Sequence, residues 1–133
     1  MWPSRIIERK FDLSKKNLRI AIWGLTYKKE TNSIKNSPAL ENMKRLSSSC
    51  TFHVFDPIVK LPDLFDLPVK VYSEILDTLY GADALIIFNN SQIFSSVLAS
   101  EIKKRLKGNL VIDPFGTINI DSQNGIDYIK LGT

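Results

Sequence analysis

The sequence has very few of the residues from which disulfides and metal sites are built. Its 133 residues include one cysteine, Cys50, and one histidine, His53. A lone cysteine cannot close an internal disulfide and cannot by itself form a zinc site. We interpret Cys50 as a buried structural thiol rather than a nucleophile, because no histidine, asparagine or aspartate motif accompanies it. His53 lies inside a predicted strand, where a packed or edge-exposed strand residue is the interpretation and a general base is the alternative.

Long apolar stretches are also missing. The longest runs, such as residues 84–88, are far shorter than the roughly 20 residues that a membrane-spanning helix needs. Charges are scattered through the first eleven residues, so the uninterrupted apolar core of a secretory signal is absent. With 44% hydrophobic and 24% charged residues, the chain has the composition of one soluble globular domain, and we expect it in the cytoplasm rather than in a membrane.

The net charge of +4 comes from lysines that are spread along the whole chain. A nucleic-acid-binding protein usually concentrates its basic residues in a patch or stripe, and this sequence has none. The charge therefore suits an anionic small ligand as well as a solvated surface.

Short apolar runs alternate with helical stretches, a pattern typical of a parallel sheet in an α/β protein. Ser37 and Pro38 form a helix start, with Leu40, Met43 and Leu46 recurring at helical spacing. Ser73 is predicted to cap a further helix that Gly81 ends. The predicted fold is α/β, a three-layer Rossmann-like open and mostly parallel sheet with helices on both faces. The predicted helices are 3–11, 38–46, 74–80 and 94–106, and the predicted strands are 17–23, 52–55, 69–72, 83–88, 110–113 and 128–131.

The first strand and helix resemble a nucleotide-binding unit that lacks its glycines. The apolar run 20–23 ends in Gly24, but Thr26 and Lys29 stand where a G-x-G-x-x-G motif has its other two glycines. In open α/β sheets the ligand crevice lies at the carboxyl ends of the strands, which here selects residues 24–29, 56–57, 89–92 and 113–117. Gly24 permits close approach of the backbone, Thr26, Tyr27 and Lys28 add hydrogen-bond donors, and the helix that begins near Pro38 turns its positive end towards the same edge. The alternative is that Gly24 only closes a turn and that Lys28, Lys29 and Lys35 are solvated.

The segment "IAIWGLTYKKETNSIKNSPAL" resembles the start of the C-terminal domain of the UDP-glucose/GDP-mannose dehydrogenase family, with the pattern G-L-[AS]-[FY]-K-x-x-T-x-D-x-R-x-S-P-[AS]-L. Further along, "HVFDP", "GADALIIF" and "NLVID" are similar to family segments in the same order, and the resemblance runs from about residue 18 to residue 131. The matching positions of the first segment are Gly24, Leu25, Tyr27, Lys28, Thr31, Ser37, Pro38, Ala39 and Leu40.

The resemblance implies a function for a longer protein. Members of the family use NAD to oxidise the C6 hydroxyl of a nucleotide sugar to a carboxylate, and their C-terminal domain binds the nucleotide sugar. We expect residues 1–16 to be the end of a connecting helix and residues 17–133 to be this nucleotide-sugar (UDP)-binding domain. NAD and the catalytic cysteine of the family would lie on segments absent from this chain, with Met1 an added start. The isolated domain is then expected to be inactive, and the full-length enzyme to be a homodimer or higher homo-oligomer acting in polysaccharide biosynthesis.

The resemblance also implies a substrate site for a UDP-sugar or GDP-mannose, with no catalytic residue and no metal ligand on this chain. Lys35 stands at a family arginine, and Phe115 stands at the arginine of D-[GA]-R-[NG], which in the family reaches the nucleotide sugar. One alternative is therefore a degenerate member that keeps the fold as a non-catalytic binding or assembly module. A flavodoxin-like or receiver-like domain is a third reading, which the absence of paired acids after the first strand disfavours. The substrate-binding residues implied are Gly24, Tyr27, Lys28, Lys35 and Phe115.

Overall fold

The computed structural model describes residues 2–12, 18–25, 38–57, 67–118 and 125–130. Over these ranges the chain has four α-helices, one 3₁₀ helix and six strands. The α-helices are α1 (Trp2–Lys10), α2 (Pro38–Leu46), α3 (Gln92–Ser95) and α4 (Ala99–Arg105), and the 3₁₀ helix is Ile75–Leu79. The strands are β1 (Leu18–Trp23), β2 (Cys50–Phe55), β3 (Val69–Val71), β4 (Ala84–Ile87), β5 (Leu110–Ile112) and β6 (Asp127–Ile129).

The strands form a single sheet in the order β3-β2-β1-β4-β5-β6. This is the doubly wound order: β2 and β3 lie on one side of β1, and β4, β5 and β6 lie on the other, so the strand order reverses between β1 and β4. Every pairing among the described strands is parallel, so the expected mostly parallel sheet is parallel throughout its described part. The α/β, Rossmann-like fold is confirmed.

Alternate residues of the strands face two separate apolar cores, which explains why the central strands are nearly continuous apolar runs. In β1, Ile20 and Ile22 face α1 and α2, whereas Ala21 and Trp23 face the 3₁₀ helix, α3 and α4. The helix α1 belongs to the first core, because Ile6 and Ile7 are buried there. The predicted helices on both faces are therefore present.

The predicted single helix over 94–106 is wrong, because the structure has two short helices there. Leu98 lies between them with an extended backbone, at φ −78° and ψ 141°. The hydroxyls of Ser95 and Ser96 donate to the carbonyls of Gln92 and Ile93, each at 2.8 Å. Serine side chains that bond to the local backbone compete with continuation of a helix, and two adjacent serines end α3 after one turn.

One local expectation between β2 and β4 also needs correction. Ser73 does not cap the following helix, which is a 3₁₀ helix whose N-cap is Glu74 and which has no side-chain capping bond. Separately, β2 begins at Cys50, before the start of the predicted strand 52–55. Gly81 does follow the 3₁₀ helix in the left-handed region, at φ +74°, as expected of a glycine that ends a helix.

Candidate functional site at the carboxyl edge of the sheet

The structure brings together the loops that follow β1, β2 and β4. Gly24 donates its N–H to the Phe55 carbonyl at 2.9 Å, and Leu25 donates its N–H to Asp56 Oδ2 at 2.6 Å. A hydrogen bond to a carboxylate is stronger than one between neutral groups, so Asp56 fixes the path of the chain as it leaves β1. Over the residues that the structure describes, these loops meet at one edge of the sheet, as predicted.

The side chain of Asn89 lies against Gly24 on the side where any other residue would carry its Cβ. Gly24 has a φ of +90°, and a Cβ built on it would lie 2.6 Å from Nδ2 of Asn89. Asn89 is buried, and its Oδ1 accepts the N–H of Ser91 at 3.2 Å. The space above Gly24 is thus filled by an amide side chain of the protein.

This arrangement does not fit the pyrophosphate of NAD. A dinucleotide fold uses glycines after its first strand so that the pyrophosphate can approach the backbone. Here Asn89 covers the α-carbon of Gly24, and the Gly24 N–H is bonded to Phe55. The positive φ of Gly24 instead allows the turn after β1 that places the Leu25 N–H on Asp56.

The loop after β5 is held by a buried carboxylate. Asp113 is fully buried, and its Oδ2 accepts the Ile118 N–H at 2.8 Å and the Tyr128 hydroxyl at 2.7 Å. Burial and the neighbouring carboxylate raise the pKa of Tyr128 above its usual value. The Tyr128 hydroxyl therefore stays protonated and donates to Asp113. Asp113 thus organises the loop that carries Phe115, which is exposed.

A catalytic role was the alternative interpretation of both His53 and Cys50. In the structure, the contacts of each residue are those of a packed side chain. His53 Nδ1 lies 3.1 Å from the Thr78 carbonyl, and its ring lies 5.3 Å from that of Tyr72. Burial lowers the pKa of His53, which favours the neutral ring. Cys50 is buried, and its pKa is raised to about 11, first by burial and then by the charge of Asp83.

We expect Cys50 to be unreactive in the folded chain because the thiolate is the reacting species and burial disfavours it. At pH 8, iodoacetamide should label the native domain far more slowly than the domain in denaturant, as measured by mass spectrometry over time. Equal labelling rates in the two states would contradict the burial of this thiol.

The structure describes two of the five expected substrate-binding residues. Gly24 lies at the β1 end of the edge, and Phe115 lies after β5, with β4 between their two strands. Tyr27, Lys28 and Lys35 lie outside the described residues. Among those described, no three histidine, cysteine, aspartate or glutamate side chains are grouped as a metal site. Within the same ranges, no helix is long and apolar enough to cross a bilayer.

An open cleft of about 420 Å³ lies between α1 and α2, lined by Arg5, Glu8, Arg9 and Arg45. Two of its side chains already satisfy each other, because Arg45 donates to both carboxylate oxygens of Glu8 at 3.0 Å. This pair raises the pKa of Arg45 and keeps its guanidinium charged. Arg45 lies in the last turn of α2, shortly before β2 begins at Cys50, so the cleft lies towards the amino ends of the strands and does not belong to the carboxyl edge.

Sequence reasoning predicted which loops lie at this edge but not the contacts within them. Asp56 and Asn89 contact Leu25 and Gly24 directly after β1, and Asp113 with Tyr128 holds the turn after β5. Only two signals were available beforehand. Asparagine readily bonds the N–H two residues on, as Asn89 does, and the order Asp-Pro-x-Gly at residues 113–116 favours a turn.

Comparison with known proteins gives the site a family context. Residues 21–120 match the model of the "UDP-glucose/GDP-mannose dehydrogenase family, UDP binding domain". This matched range contains all four loops of the carboxyl edge that were selected above. The loops at the carboxyl edge therefore belong to the part of the chain that is similar to UDP-binding domains.

Two curated relatives share moderate identity with the chain. The Bacillus subtilis protein YtcA, provisionally named a UDP-glucose 6-dehydrogenase, is 33% identical over 99 residues, which is 71% of this chain and 22% of the relative. A UDP-N-acetyl-D-mannosamine dehydrogenase of Pyrococcus horikoshii is 30% identical over 95 residues, or 71% of this chain and 21% of the relative. The chain thus spans about a fifth of the length of these relatives.

A solved structure shows the same fold. An NDP-N-acetyl-D-galactosaminuronic acid dehydrogenase from Methanosarcina mazei matches with a TM-score of 0.77 and 22% identity, over 98% of this chain and 28% of that protein. At this identity the likeness concerns the arrangement of helices and strands alone.

Proposed function

The chain belongs to the UDP-glucose/GDP-mannose dehydrogenase family as its UDP-binding domain, and we propose that it binds the nucleotide sugar that a full-length NAD-dependent dehydrogenase oxidises. The observation that carries the proposal is the family match over residues 21–120, which covers the four loops predicted to line the ligand crevice at the carboxyl edge. Open α/β sheets bind their ligands at that edge, so the match and the fold support the same location.

The proposed site lies along the edge from the loop after β1 to the loop after β5. Lys28 and Lys35 would place ammonium groups near the diphosphate, Tyr27 would add a hydroxyl donor, and Phe115 would contact the ligand from the far loop. Gly24 would contribute by giving this loop its shape. Asp56 and Asn89 support that shape through their contacts with the residues that follow β1.

The proposed reaction of the full-length protein is oxidation of the C6 hydroxyl of the sugar to a carboxylate. NAD would accept the hydrides while bound on another domain. This chain would hold the substrate and supply no reacting group, which is consistent with the buried, protonated thiol of Cys50. We further propose that the full-length enzyme is a cytoplasmic homo-oligomer of polysaccharide biosynthesis.

The sugar is a separate question, because the two curated relatives are named for different substrates. One is named for UDP-glucose and the other for UDP-N-acetyl-D-mannosamine. We propose a UDP-glucose type of oxidation, with a UDP-N-acetyl sugar or GDP-mannose as the ligand to be compared. A second candidate function is a non-catalytic binding or assembly module, which is favoured by the apolar Phe115 at the position where the family pattern has arginine.

The proposal predicts saturable binding of a UDP-sugar by the 133-residue chain. Lys28→Ala should weaken this binding roughly tenfold or more, because a charge-assisted hydrogen bond to phosphate is removed. Isothermal titration calorimetry with UDP-glucose, UDP-N-acetylmannosamine and GDP-mannose measures the effect and compares the sugars.

Lys44→Ala is the matched control, since it removes the same charge from an exposed position in the last turn of α2. An equal loss in both variants would show that net charge, rather than a site, governs the binding. Failure of the wild-type chain to bind any of the three ligands would favour the non-catalytic module.

A further inference from the structure

Phe115 lies on a tight turn that follows β5. The turn is closed by the Gly116 N–H, which donates to the Asp113 carbonyl at 3.1 Å, and Gly116 has a φ of +65°. Aspartate, proline and glycine at the first, second and fourth positions are the residues that such turns favour. Phe115 takes the third position, and 56% of its surface is exposed.

The turn is tied to the rest of the sheet on both sides. Asp113 donates its N–H to the Ile129 carbonyl of β6 at 2.8 Å, and its buried carboxylate accepts the Tyr128 hydroxyl and the Ile118 N–H. A ligand would thus meet an aromatic ring whose backbone is already ordered. Preorganisation of this kind lowers the entropy lost on binding.

The exposure of Phe115 is unusual among the described aromatic residues. Tyr80 is exposed to the same extent, 56%, but the guanidinium of Arg105 lies over its ring at 5.7 Å. Phe115 has no ring or cation partner in the described part of the chain. It therefore presents a free aromatic surface at the edge where the proposed site lies.

The position of Phe115 along the edge matches the length of a nucleotide. One strand, β4, separates β5 from β1, so the two loops are roughly 10 Å apart at about 4.8 Å per strand. A nucleotide sugar with its diphosphate near the loop after β1 can extend its base towards the loop after β5. Phenylalanine carries no charge and cannot replace a guanidinium at the phosphates, which leaves the base as the part of the ligand that suits it.

We propose that Phe115 is a stacking platform for the nucleobase of the bound nucleotide sugar. The inference rests on the proposed function and adds the contact that recognises the base. Aromatic side chains stack on the π face of any base, and the contact involves no charge pairing. Binding at this loop should consequently depend on an aromatic ring at position 115 and only weakly on salt.

Titration of the 133-residue chain with UDP tests the proposal. Phe115→Ala should weaken UDP binding about tenfold, within the range that loss of one stacked base gives. Phe115→Leu should weaken it nearly as much, because leucine is apolar but offers no π face, whereas Phe115→Trp should retain it. Tyr80→Ala, which removes an aromatic side chain of equal exposure just before β4, should leave the affinity unchanged.

A spectroscopic signature separates the base from the phosphates. In Phe115→Trp, UDP should quench the additional tryptophan emission relative to wild type, and inorganic pyrophosphate should not. Equal quenching by pyrophosphate, wild-type affinity in Phe115→Ala, or wild-type affinity in Phe115→Leu would each overturn the stacking contact while leaving the proposed function intact. If the wild-type chain binds no UDP, the proposed function fails and this inference fails with it.

Discussion

Replacement of Gly108 by alanine should unfold much of the domain population under mild denaturing conditions. A Cβ at this position would lie 2.1 Å from the backbone oxygen of Asp83 and 3.0 Å from its carbonyl carbon. Neither atom is the end of a flexible side chain, so relief requires the backbone of one segment to move. We expect a loss of about 3 kcal/mol or more in the free energy of unfolding, at the upper end of overpacking effects.

The surrounding hydrogen bonds explain why movement is costly. Lys107 and Gly108 donate their N–H groups to the Ala82 carbonyl at 2.9 and 3.3 Å, and Asp83 donates to the Arg19 carbonyl at 2.7 Å. Asp83 Oδ2 in turn accepts the Arg19 N–H at 3.0 Å. A shift at residue 108 would therefore disturb the start of both β4 and β1.

Urea unfolding followed by circular dichroism measures this prediction, with Gly125→Ala as the control. Gly125 has a φ of +72°, but its nearest neighbour is the Cε atom of Lys103 at 3.5 Å, so alanine there adds backbone strain without a collision. We expect the control substitution to lower the free energy of unfolding by about 1 kcal/mol. A Gly108→Ala loss no larger than that of Gly125→Ala would show that the connection can move away from Asp83.

Replacement of Gly24 by alanine should destabilise the domain and also weaken UDP-sugar binding. The φ of +90° costs an alanine about 1–2 kcal/mol, and the collision of its Cβ with the Asn89 amide at 2.6 Å adds a similar amount. Together the two effects should lower the free energy of unfolding by about 3 kcal/mol. Because the loop that carries Lys28 continues from this residue, affinity for a UDP-sugar should fall with stability.

A double-mutant cycle separates the two causes. In an Asn89→Ala background the collision disappears and the left-handed backbone remains, so Gly24→Ala should then cost only about 1–2 kcal/mol. Unfolding midpoints of the four proteins give the coupling, and calorimetric titration of the folded variants gives the affinity. An unchanged cost in both backgrounds would mean that Asn89 does not occupy the space above Gly24.

The fold was largely predictable because its signal is local and repeated. Strands buried on both faces must be apolar at nearly every position, and residues 84–87 show this directly in the sequence. The pattern failed at residues 94–106, where the helical spacing of apolar residues continues through a break. What ends α3 is the bonding of Ser95 and Ser96 to nearby carbonyls, and serine also occurs within helices, so its presence alone does not predict an end.

The candidate site was predictable as a set of loops but not as a set of contacts. The rule for open α/β sheets selected the carboxyl edge, and the resemblance proposed residues on it. The sequence offered no means of pairing Asp56 with Leu25, or Tyr128 with Asp113, since these partners are 31 and 15 residues apart. Tyr27, Lys28 and Lys35 remain predictions that binding measurements will test.

The sequence by itself determined the α/β class and the family, because these depend on apolar periodicity and short ordered motifs, and it predicts the edge of the sheet at which a ligand binds. The tertiary structure decided what the individual glycines and polar residues do. Gly24 and Gly108 look alike in a sequence, but one faces an asparagine amide at a positive φ and the other faces a backbone carbonyl. Such roles arise from atoms that only folding brings within contact distance, and it is the packed turn after β5 that exposes the ring of Phe115.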